Sequence, residues 1–453
     1  MVALGAGHAT GAAAGRMRHT DPEHVAQPWA LASLLMIANT FSFIDRTLLT
    51  LLVAPIRAEL GISDTIISLL HGFTFAALYA VMGLPLGRWA DRGDRPYLMA
   101  GGVTLWSGMT IASGLATSVA PLAVARAGVA VGEASLAPAA VSLLSERMPR
   151  RMVARAIAMF QSGIFVGSAA ALFVGGALLR ALETADRSSF GVLATLAPWR
   201  LVFIIVGAPG FLLAALLLAV HEPRRQNAAH ARLRASTLAE TLAYLRAHRA
   251  VYGWHLVAFT AITILAYGAM AWMPTTLVRS HGISTASAGV WLGVILLAAA
   301  PAGVMASGAL VDRALARGRG DGPMRVALAG LGFLGLAIPA FALSPSLPLA
   351  LLADIPLAFG LGFPYGIASG ALALITPIHL RGQVIALYLL ISNLIGLTLG
   401  PLLIALCTDH LFREDSAVRY SLALLPLITV PIAALALVRA RAPFAAAWRE
   451  AIA

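Results

Sequence analysis

The chain has 453 residues, of which 59% are hydrophobic and only 11% are charged, and its mean hydropathy is +0.85. A soluble protein carries about 25% charged residues, so this composition excludes a water-soluble globule. The net charge of +12 comes from arginines, nearly all of which lie in short segments between apolar runs. A nucleic-acid-binding surface would need them clustered on one soluble face, and no nucleic-acid partner is expected.

Apolar runs about 20 residues long recur along the chain, and this is the length that a helix needs to cross about 30 Å of hydrocarbon. The polar breaks between them predict twelve membrane-spanning helices, which we number spans 1 to 12. The predicted limits are 29–56, 65–87, 97–117, 120–144, 154–180, 200–220, 251–278, 286–311, 325–343, 347–373, 382–406 and 418–438. The fold class is therefore an all-α integral membrane protein. An outer-membrane barrel is excluded because its strands alternate over only ~10 residues.

The longest polar break lies at residues 221–250 and divides the spans into six and six. We expect a flexible cytoplasmic tail at 1–28, an N-terminal six-helix bundle at 29–220, and a basic cytoplasmic linker at 221–250. A C-terminal six-helix bundle is expected at 251–438 and a cytoplasmic tail at 439–453. Residues 236–249 have a helical composition and could lie along the membrane surface.

Arginine placement predicts the orientation. If both termini are cytoplasmic, 23 arginines fall in the inner segments and 7 in the outer ones, and Arg46 and Arg126 fall within spans. This asymmetry is typical of inner loops, which carry an excess of basic residues. We therefore expect a multi-pass protein of the bacterial inner membrane with both termini inside.

The sequence also contains an internal repeat. The pattern Gly-x-x-x-Asp-Arg occurs at 87–92, after span 2, and again at 308–313, after span 8, an offset of 221 residues. A second match relates Gly132 to Gly362, 230 residues apart. Two parallel, pseudo-symmetric six-helix bundles are the repeat plan of a secondary transporter, whose binding site lies between the halves.

The repeated loops are candidates for a gate at the cytoplasmic ends. We expect their glycines to allow close helix approach and their aspartates to accept hydrogen bonds at a neighbouring helix N-terminus. The arginines can pair with carboxylates of an adjacent helix, in contacts made in one conformation and broken in another. The alternative is a pair of ordinary solvated turns. The candidates are Gly87, Asp91, Arg92, Arg95, Gly308, Asp312 and Arg313.

Four charged residues lie within spans, namely Asp45 and Arg46 in span 1 and Arg126 and Glu133 in span 4. A charge at mid-membrane costs at least ~2.5–3.5 kcal/mol, so it normally faces a cavity or a partner. Arg126 and Glu133 are two helical turns apart and share a face, whereas Asp45 and Arg46 point about 100° apart. The simplest network places Asp45 or Glu133 opposite Arg126, with Arg46 as a second cation.

This network predicts proton coupling by Asp45 and Glu133 and substrate binding by Arg46 and Arg126. A carboxylate beside an arginine is ionised, and an anionic substrate that engages the arginine changes that balance. The arginines suit a phosphate or a carboxylate. The alternative is a static buried ion pair that fixes helix register.

Five other polar residues are weaker candidates. His71 could relay protons, or could simply bridge two helices. His255, Tyr267, Tyr365 and Asn393 are expected to face the cavity from the C-terminal bundle, and we interpret them as packing or helix-bridging residues. No metal-ligand spacing and no nucleotide-binding loop occurs in the sequence, so no metal, no cofactor and no enzyme activity is expected.

The duplicated Gly-x-x-x-Asp-Arg loop resembles the signature of the major facilitator superfamily. Ser42-Phe-Ile-Asp-Arg46, the run Arg126–Ser135, and Trp272–Gly282 are similar to the Spinster branch of that family. The resemblance implies that the functional Asp, Arg and Glu of the branch correspond to Asp45, Arg46 and Glu133, with Arg126 as the fourth-helix arginine. Ser42 and Phe43 depart from the family's Asn and Tyr.

Spinster-like proteins are implicated in moving lysophospholipids and sphingosine phosphate, with proton coupling. The resemblance therefore implies a monomeric, proton-coupled transporter that moves such a lipid by alternating access. The nearly charge-free C-terminal spans suit an acyl tail, and the charges of the N-terminal half suit a phosphate head group. Two alternatives stay open: a proton symporter for a sugar acid or another small organic anion, and a multidrug exporter.

Overall fold

The computed structural model describes residues 22–149, 152–186, 188–220, 222 and 237–452. Within these ranges, the side chains of 22–27, 91, 92, 154, 188–190, 192 and 452 are not described. Twelve helical segments of the described chain are long and apolar enough to cross a membrane. The prediction of twelve spans is confirmed.

The first six spans form the N-terminal half. Three of them are interrupted: span 2 contains a turn of π-helix, span 4 breaks after Glu133, and span 6 breaks after Gly207. Their helices are Pro22–Leu51 (span 1), Asp64–Ser68, the π-turn Leu69–Thr74 and Phe75–Arg92 (span 2), Arg95–Leu115 (span 3), Val119–Glu133 and Leu136–Arg147 (span 4), Val153–Thr184 (span 5), and Pro198–Gly207 and Pro209–Leu218 (span 6). A short helix, Val53–Leu60, follows span 1, and a 3₁₀ segment, Ser188–Thr195, follows span 5.

The last six spans form the C-terminal half. They are Arg249–His281 (span 7), Thr285–Ala316 (span 8), Gly322–Ala342 (span 9), Leu347–Ile375 (span 10), Ile378–Leu406 with the π-turn Cys407–Phe412 (span 11), and Val418–Ile452 (span 12), which follows the 3₁₀ turn Asp415–Ala417. The helix Leu238–Ala247 precedes span 7 and lies in the predicted linker.

Two predicted boundaries change. The helix of span 1 begins at Pro22, inside the predicted tail, whose residues 1–21 lie outside the described chain. The predicted tail at 439–453 is helical, because the helix of span 12 continues to Ile452, and its cytoplasmic position stays a prediction. Phe444 is fully buried there and Arg441 pairs with Asp321 at 2.8 Å, which fastens this segment to the C-terminal half.

Local sequence signals account for the turns between spans. Ser63 and Ser284 cap the first helix of span 2 and span 8, where each hydroxyl accepts a hydrogen bond from a backbone N–H three residues on. Gly61 and Gly282 end the preceding helices with φ of 64° and 67°, which a residue without Cβ adopts at little cost. Each of these two turns therefore has the same sequence signal, a glycine that ends one helix followed by a serine that caps the next.

Among the described residues, the two halves pack on each other mainly at one end. The molecule has two ends, which we name. The terminal end is the one at which span 1 begins and span 12 finishes, and the distal end is the opposite one. Span 5 packs against span 8 and span 2 against span 11. A Cβ on Gly176 would lie 2.5 Å from the carbonyl oxygen of Ala286, and one on Gly289 would lie 2.5 Å from that of Leu172. These small residues bring the backbones of spans 5 and 8 together in their distal portion.

Candidate functional site

The centre of the molecule holds an ion pair between spans 1 and 4. Nη2 of Arg46 donates to Oε2 of Glu133 at 2.7 Å. The Glu133 side chain is completely buried, whereas 13% of the Arg46 side chain is exposed. Glu133 ends the first helix of span 4, and the preceding Gly132 packs against the backbone of span 3 at Gly102. That close contact and the helix break fix the position of the carboxylate.

A second pair of charges lies behind the first. Arg126 is fully buried, and its Nη1 donates a long hydrogen bond of 3.5 Å to the backbone oxygen of Asp45. Nε and Nη2 of Arg126, Oδ1 of Asp45 and Oε1 of Glu133 have no hydrogen-bond partner among the described residues. Asp45 nevertheless lies within electrostatic range of both Glu133 and Arg126. The four charges thus form one cluster of two cations and two anions.

The cluster contains the four residues of the predicted network, and its direct ion pair joins Arg46 to Glu133. Arg126 lies within electrostatic range of both Glu133 and Asp45, and its Nη1 contacts the backbone oxygen of Asp45. Asp45 and Arg46 point in different directions, as the helical geometry requires. Arg46 therefore turns towards the space between the halves and towards Glu133, whereas Asp45 is buried beside Arg126.

Three aromatic rings surround the Arg46 guanidinium. Its central carbon lies 4.6 Å from the ring centroid of Phe43, 4.4 Å from that of Phe75 and 5.3 Å from that of Tyr79. Phe75 and Tyr79 are one helical turn apart on span 2, directly after its π-turn, and their rings stack at 5.8 Å. We call these three rings the aromatic cage. Each ring face attracts a cation.

The opposite wall comes from the C-terminal half. The hydroxyl of Tyr267 donates to Oδ1 of Asn393 at 3.3 Å, and Tyr365 is 44% exposed. Tyr267 lies within electrostatic range of Arg46 across the gap between the halves. We call the space that Arg46, Tyr79, Tyr267, Tyr365 and Asn393 border the central cavity. The C-terminal wall is therefore uncharged at these positions but rich in hydroxyl and amide groups.

Both histidine candidates are buried, and His71 lies within electrostatic range of Arg126 and Arg46. His255 is 1% exposed and packs on Phe259 and Tyr388 with ring centroids 4.5 and 5.4 Å away, in agreement with its interpretation as a packing residue. His71 lies in the π-turn of span 2 and, with Trp272 among others, lines a small hollow at the seam between the halves.

Ion pairs close the distal end. Arg279 at the end of span 7 binds the buried carboxylate of Asp64 through two hydrogen bonds of 2.6 and 2.8 Å. Arg57 bridges Asp64 at 3.1 Å and Asp415 at 3.0 Å. Asp409 accepts two hydrogen bonds of 2.7 Å from the backbone and hydroxyl of Thr65. We call these six residues the distal gate, because each of its three carboxylates joins the N-terminal half to the C-terminal half.

Sequence analysis missed the distal gate. The sequence analysis counted Arg57 and Arg279 only among the outer arginines. It did not consider Asp64, Asp409 and Asp415. The available signal was a group of acidic residues in outer loops that otherwise carry few charges.

The predicted gating residues lie at the terminal end, which is open. A Cβ on Gly87 or Gly308 would meet no atom within 4 Å, so the expectation of close helix approach at these glycines is wrong in this conformation. Asp312 and Arg313 are exposed. The side chains of Asp91 and Arg92 lie outside the described residues.

Arg95 does pair with carboxylates, as expected, but inside its own half. Its side chain is 1% exposed and binds Glu146 of span 4 and Glu222 beyond span 6, while Nη1 donates to Ser142 at 2.9 Å. Asp321 plays the matching part in the C-terminal half, where it binds Arg325 and Arg441. These contacts hold the helices of each half together, and none of them joins the two halves.

Comparison with known proteins shows which family and which structures this chain resembles. The family model of the Major Facilitator Superfamily matches residues 35–401. An MFS-type efflux pump of Mycolicibacterium smegmatis is 29% identical over 90% of this chain and 91% of its own length. A probable L-galactonate transporter of Escherichia coli is 25% identical over 62% of this chain and 60% of its own. The crystal structure of a bacterial homologue of the human lysosomal transporter Spinster, inward-facing and unoccupied, has a TM-score of 0.75 and 27% identity and covers 96% of this chain and 98% of its own.

Proposed function

The chain belongs to the major facilitator superfamily, and we propose that it is a proton-coupled transporter that moves an amphiphilic lysophospholipid or a sphingosine-phosphate-like lipid by alternating access. It is a multi-pass membrane transporter with Spinster-like relatives in structure. The observation that carries the proposal is the Arg46–Glu133 ion pair, which stands between the central cavity and the buried Asp45 and Arg126.

The same geometry supports an orientation. With both termini in the cytoplasm, the distal end faces outward and the open terminal end faces the cytoplasm. This assignment agrees with the 23 inner and 7 outer arginines. It describes an inward-facing transporter, the state named for the similar Spinster homologue structure. We place the protein in the bacterial inner membrane, with Gly87, Asp91, Arg92, Arg95, Gly308, Asp312 and Arg313 as the elements of an inner gate that closes in the alternate state.

Proton coupling follows from the burial of the two carboxylates. When an anionic group on a substrate takes Arg46, Glu133 loses the one ion-pair partner that it has among the described residues, and its side chain is completely buried. An unpaired buried carboxylate costs several kcal/mol, and a proton removes that cost. Asp45 is buried as well and lies within electrostatic range of Arg126. Substrate binding and proton uptake are thereby linked at Glu133 and Asp45.

The proposed substrate is one whose chemical groups match both walls of the central cavity. Arg46 offers a cation to a phosphate, and Tyr267 and Asn393 offer hydrogen bonds to the linking ester or hydroxyl groups. The acyl chain would extend along the apolar faces of the C-terminal spans. Two other functions have specific support. The polar wall and the L-galactonate transporter favour a sugar-acid symporter, and the near full-length match to an efflux pump favours a multidrug exporter.

Transport by reconstituted protein tests the proposal. Proteoliposomes with an imposed proton gradient are supplied with a radiolabelled lysophospholipid or a sugar acid, for the wild type, Asp45→Asn and Glu133→Gln. We expect lysophospholipid transport that depends on the gradient and a loss of that dependence in at least one variant. Glu183→Gln, an exposed carboxylate at the distal end of span 5, is the control and should behave as wild type.

Two results would contradict the assignment. Transport of the sugar acid alone would replace the lipid substrate by a small organic anion. Gradient dependence that persists undiminished in both variants would remove Asp45 and Glu133 as proton carriers.

A further inference from the structure

The aromatic cage is built like a receptor for an organic cation. Three rings stand 4.4 to 5.3 Å from one positive centre, and the carboxylate of Glu133 closes the fourth side. Proteins recognise alkylammonium groups with this combination of ring faces and a counter-charge. Its present occupant, however, is a side chain of the protein itself, Arg46.

Arg46 fills this site incompletely. Its guanidinium makes one ion pair, with Glu133, and its buried Nε has no hydrogen-bond partner among the described residues. Oε1 of Glu133 is buried without a partner as well. A compact alkylammonium group, which needs no directed hydrogen bonds, suits ring faces better than a planar guanidinium with five N–H donors. Because 13% of the Arg46 side chain is exposed, the site can be reached from the central cavity.

We propose that the aromatic cage binds the ammonium group of the transported amphiphile and that this group displaces the Arg46 guanidinium from Glu133. The proposal rests on the transporter function above and adds the charge of the head group that the site selects.

Charge balance favours this exchange over entry of a simple anion. One cation replaces another beside Glu133, so the buried carboxylate is paired while the ammonium group is bound, and proton uptake at Glu133 falls in the step in which that group leaves. The released Arg46, on its flexible stem, is then free to bind a phosphate elsewhere in the same head group. An anionic amphiphile without an ammonium group would instead take Arg46 away and leave Glu133 alone.

The sequence contributes a reason for this specificity. Phe43 stands where the related family pattern has Tyr, and its ring forms one wall of the cage. A phenyl ring adds a face for a cation without a hydroxyl that would hold a fixed hydrogen-bond partner. The departure from the family pattern therefore keeps the ring face and removes the hydroxyl.

Binding of two short amphiphiles to nanodisc-embedded protein tests the proposal. Radiolabelled decyltrimethylammonium is the cation and decyl phosphate the anion, and empty nanodiscs give the background. Each Kd is measured for the wild type, for Phe75→Leu/Tyr79→Leu, and for Tyr79→Phe. Phe333→Leu, which removes a ring of the separate aromatic cluster on spans 9 and 10, is the matched control.

We expect decyltrimethylammonium to bind at least ten times more weakly to the double variant, and decyl phosphate to change less than threefold. Tyr79→Phe keeps the ring and should stay within threefold of wild type for both probes, as should Phe333→Leu. Equal weakening of both probes in the double variant, or cation binding that ignores the cage substitutions, would overturn the proposal.

Transport separates this inference from the proposed function. Lysophosphatidylcholine, which carries an ammonium group, should be transported faster than lysophosphatidylglycerol, and the double variant should lose the difference. Equal transport of both would overturn the inference and leave the lipid function intact. A third outcome is that neither lipid is transported while decyltrimethylammonium still binds in a cage-dependent way. The proposed lipid substrate would then be rejected, and the cage would bind an exported organic cation instead.

Discussion

The distal gate predicts how one substitution shifts the transporter between its two conformations. Asp64→Asn removes the carboxylate that binds Arg279 through two hydrogen bonds and Arg57 through an ion pair. Asp64 is fully buried and its arginine partners are only 10% and 20% exposed, so solvent screens these pairs weakly. Breaking a buried ion pair costs about 3–5 kcal/mol, and we take ~2–3 kcal/mol because the arginines keep contacts to Asp415. The gate-closed state should therefore lose about 30- to 150-fold in its population relative to the gate-open state.

Distances between spin labels measure this shift. In a background without the free Cys407, one label pair on Glu183 and Leu343 reports on the distal end. A second pair on Tyr97 and Ile378, both strongly exposed, reports on the terminal end. Asp64→Asn should lengthen the distal distance and shorten the terminal one in the same sample, because the halves move as bodies.

Asp321→Asn is the matched control. Asp321 also pairs with two arginines, but both belong to its own half. It should leave both distance distributions as in wild type. A distal distribution that is unchanged in Asp64→Asn, or one that changes equally in the control, would refute the assignment of these ion pairs as the closing element.

Three further outcomes are expected. Gly72→Ala should also favour the gate-open state, because its Cβ would lie 2.4 Å from the carbonyl oxygen of Leu397 across the seam, and the same label pairs measure it. Arg46→Gln should lower the Tm more than Arg46→Gln/Glu133→Gln does, since the single change removes the arginine that is directly paired with a buried carboxylate; the reverse order in a thermal melt would contradict this ion pair. Although burial opposes ionisation, hydrogen bonds and charges from two arginines hold the pKa of Asp321 below its ordinary value. Its stabilisation is therefore present at pH 7 and is lost progressively as the pH falls from about 4 through that lowered pKa, so Asp321→Asn should lower the Tm more at pH 7 than at pH 3.

The sequence was sufficient to find the charged cluster but not its pairing. Charges in apolar spans are costly, so Asp45, Arg46, Arg126 and Glu133 stand out without a structure. Which arginine meets Glu133 depends on the rotation of span 1 and on the break in span 4 after Glu133. Neither is visible in a pattern of apolar residues.

The cage and the distal gate escaped prediction for different physical reasons. Phe75 and Tyr79 lie one turn apart in an apolar span, where aromatic residues ordinarily pack against neighbours or lipid. Asp64 and Arg279 lie at span ends, where a charge costs little and signals nothing. Their pairing joins residues 215 positions apart, and it exists only in the conformation with the distal end closed.

The end of span 12 shows the limit of hydropathy. Arg439 and Arg441 mark the end of the apolar run, and a tail was expected from there. A helix does not need to stop where the membrane does. The burial of Phe444 and the Arg441–Asp321 ion pair are tertiary contacts that stabilise the helix of span 12 beyond its apolar run.

The seam between the halves is mostly hydrocarbon, and this has a thermal consequence. One cluster of buried apolar side chains runs from Leu51 and Leu172 in the N-terminal half into Leu292 and Leu296 of span 8 without a break. When the distal end opens, part of that surface meets water, and exposure of apolar surface raises the heat capacity. The opening equilibrium should then curve with temperature, and cooling should weaken the seam. At low temperature, the distal end should therefore be open for a larger fraction of the time than its ionic contacts alone would allow.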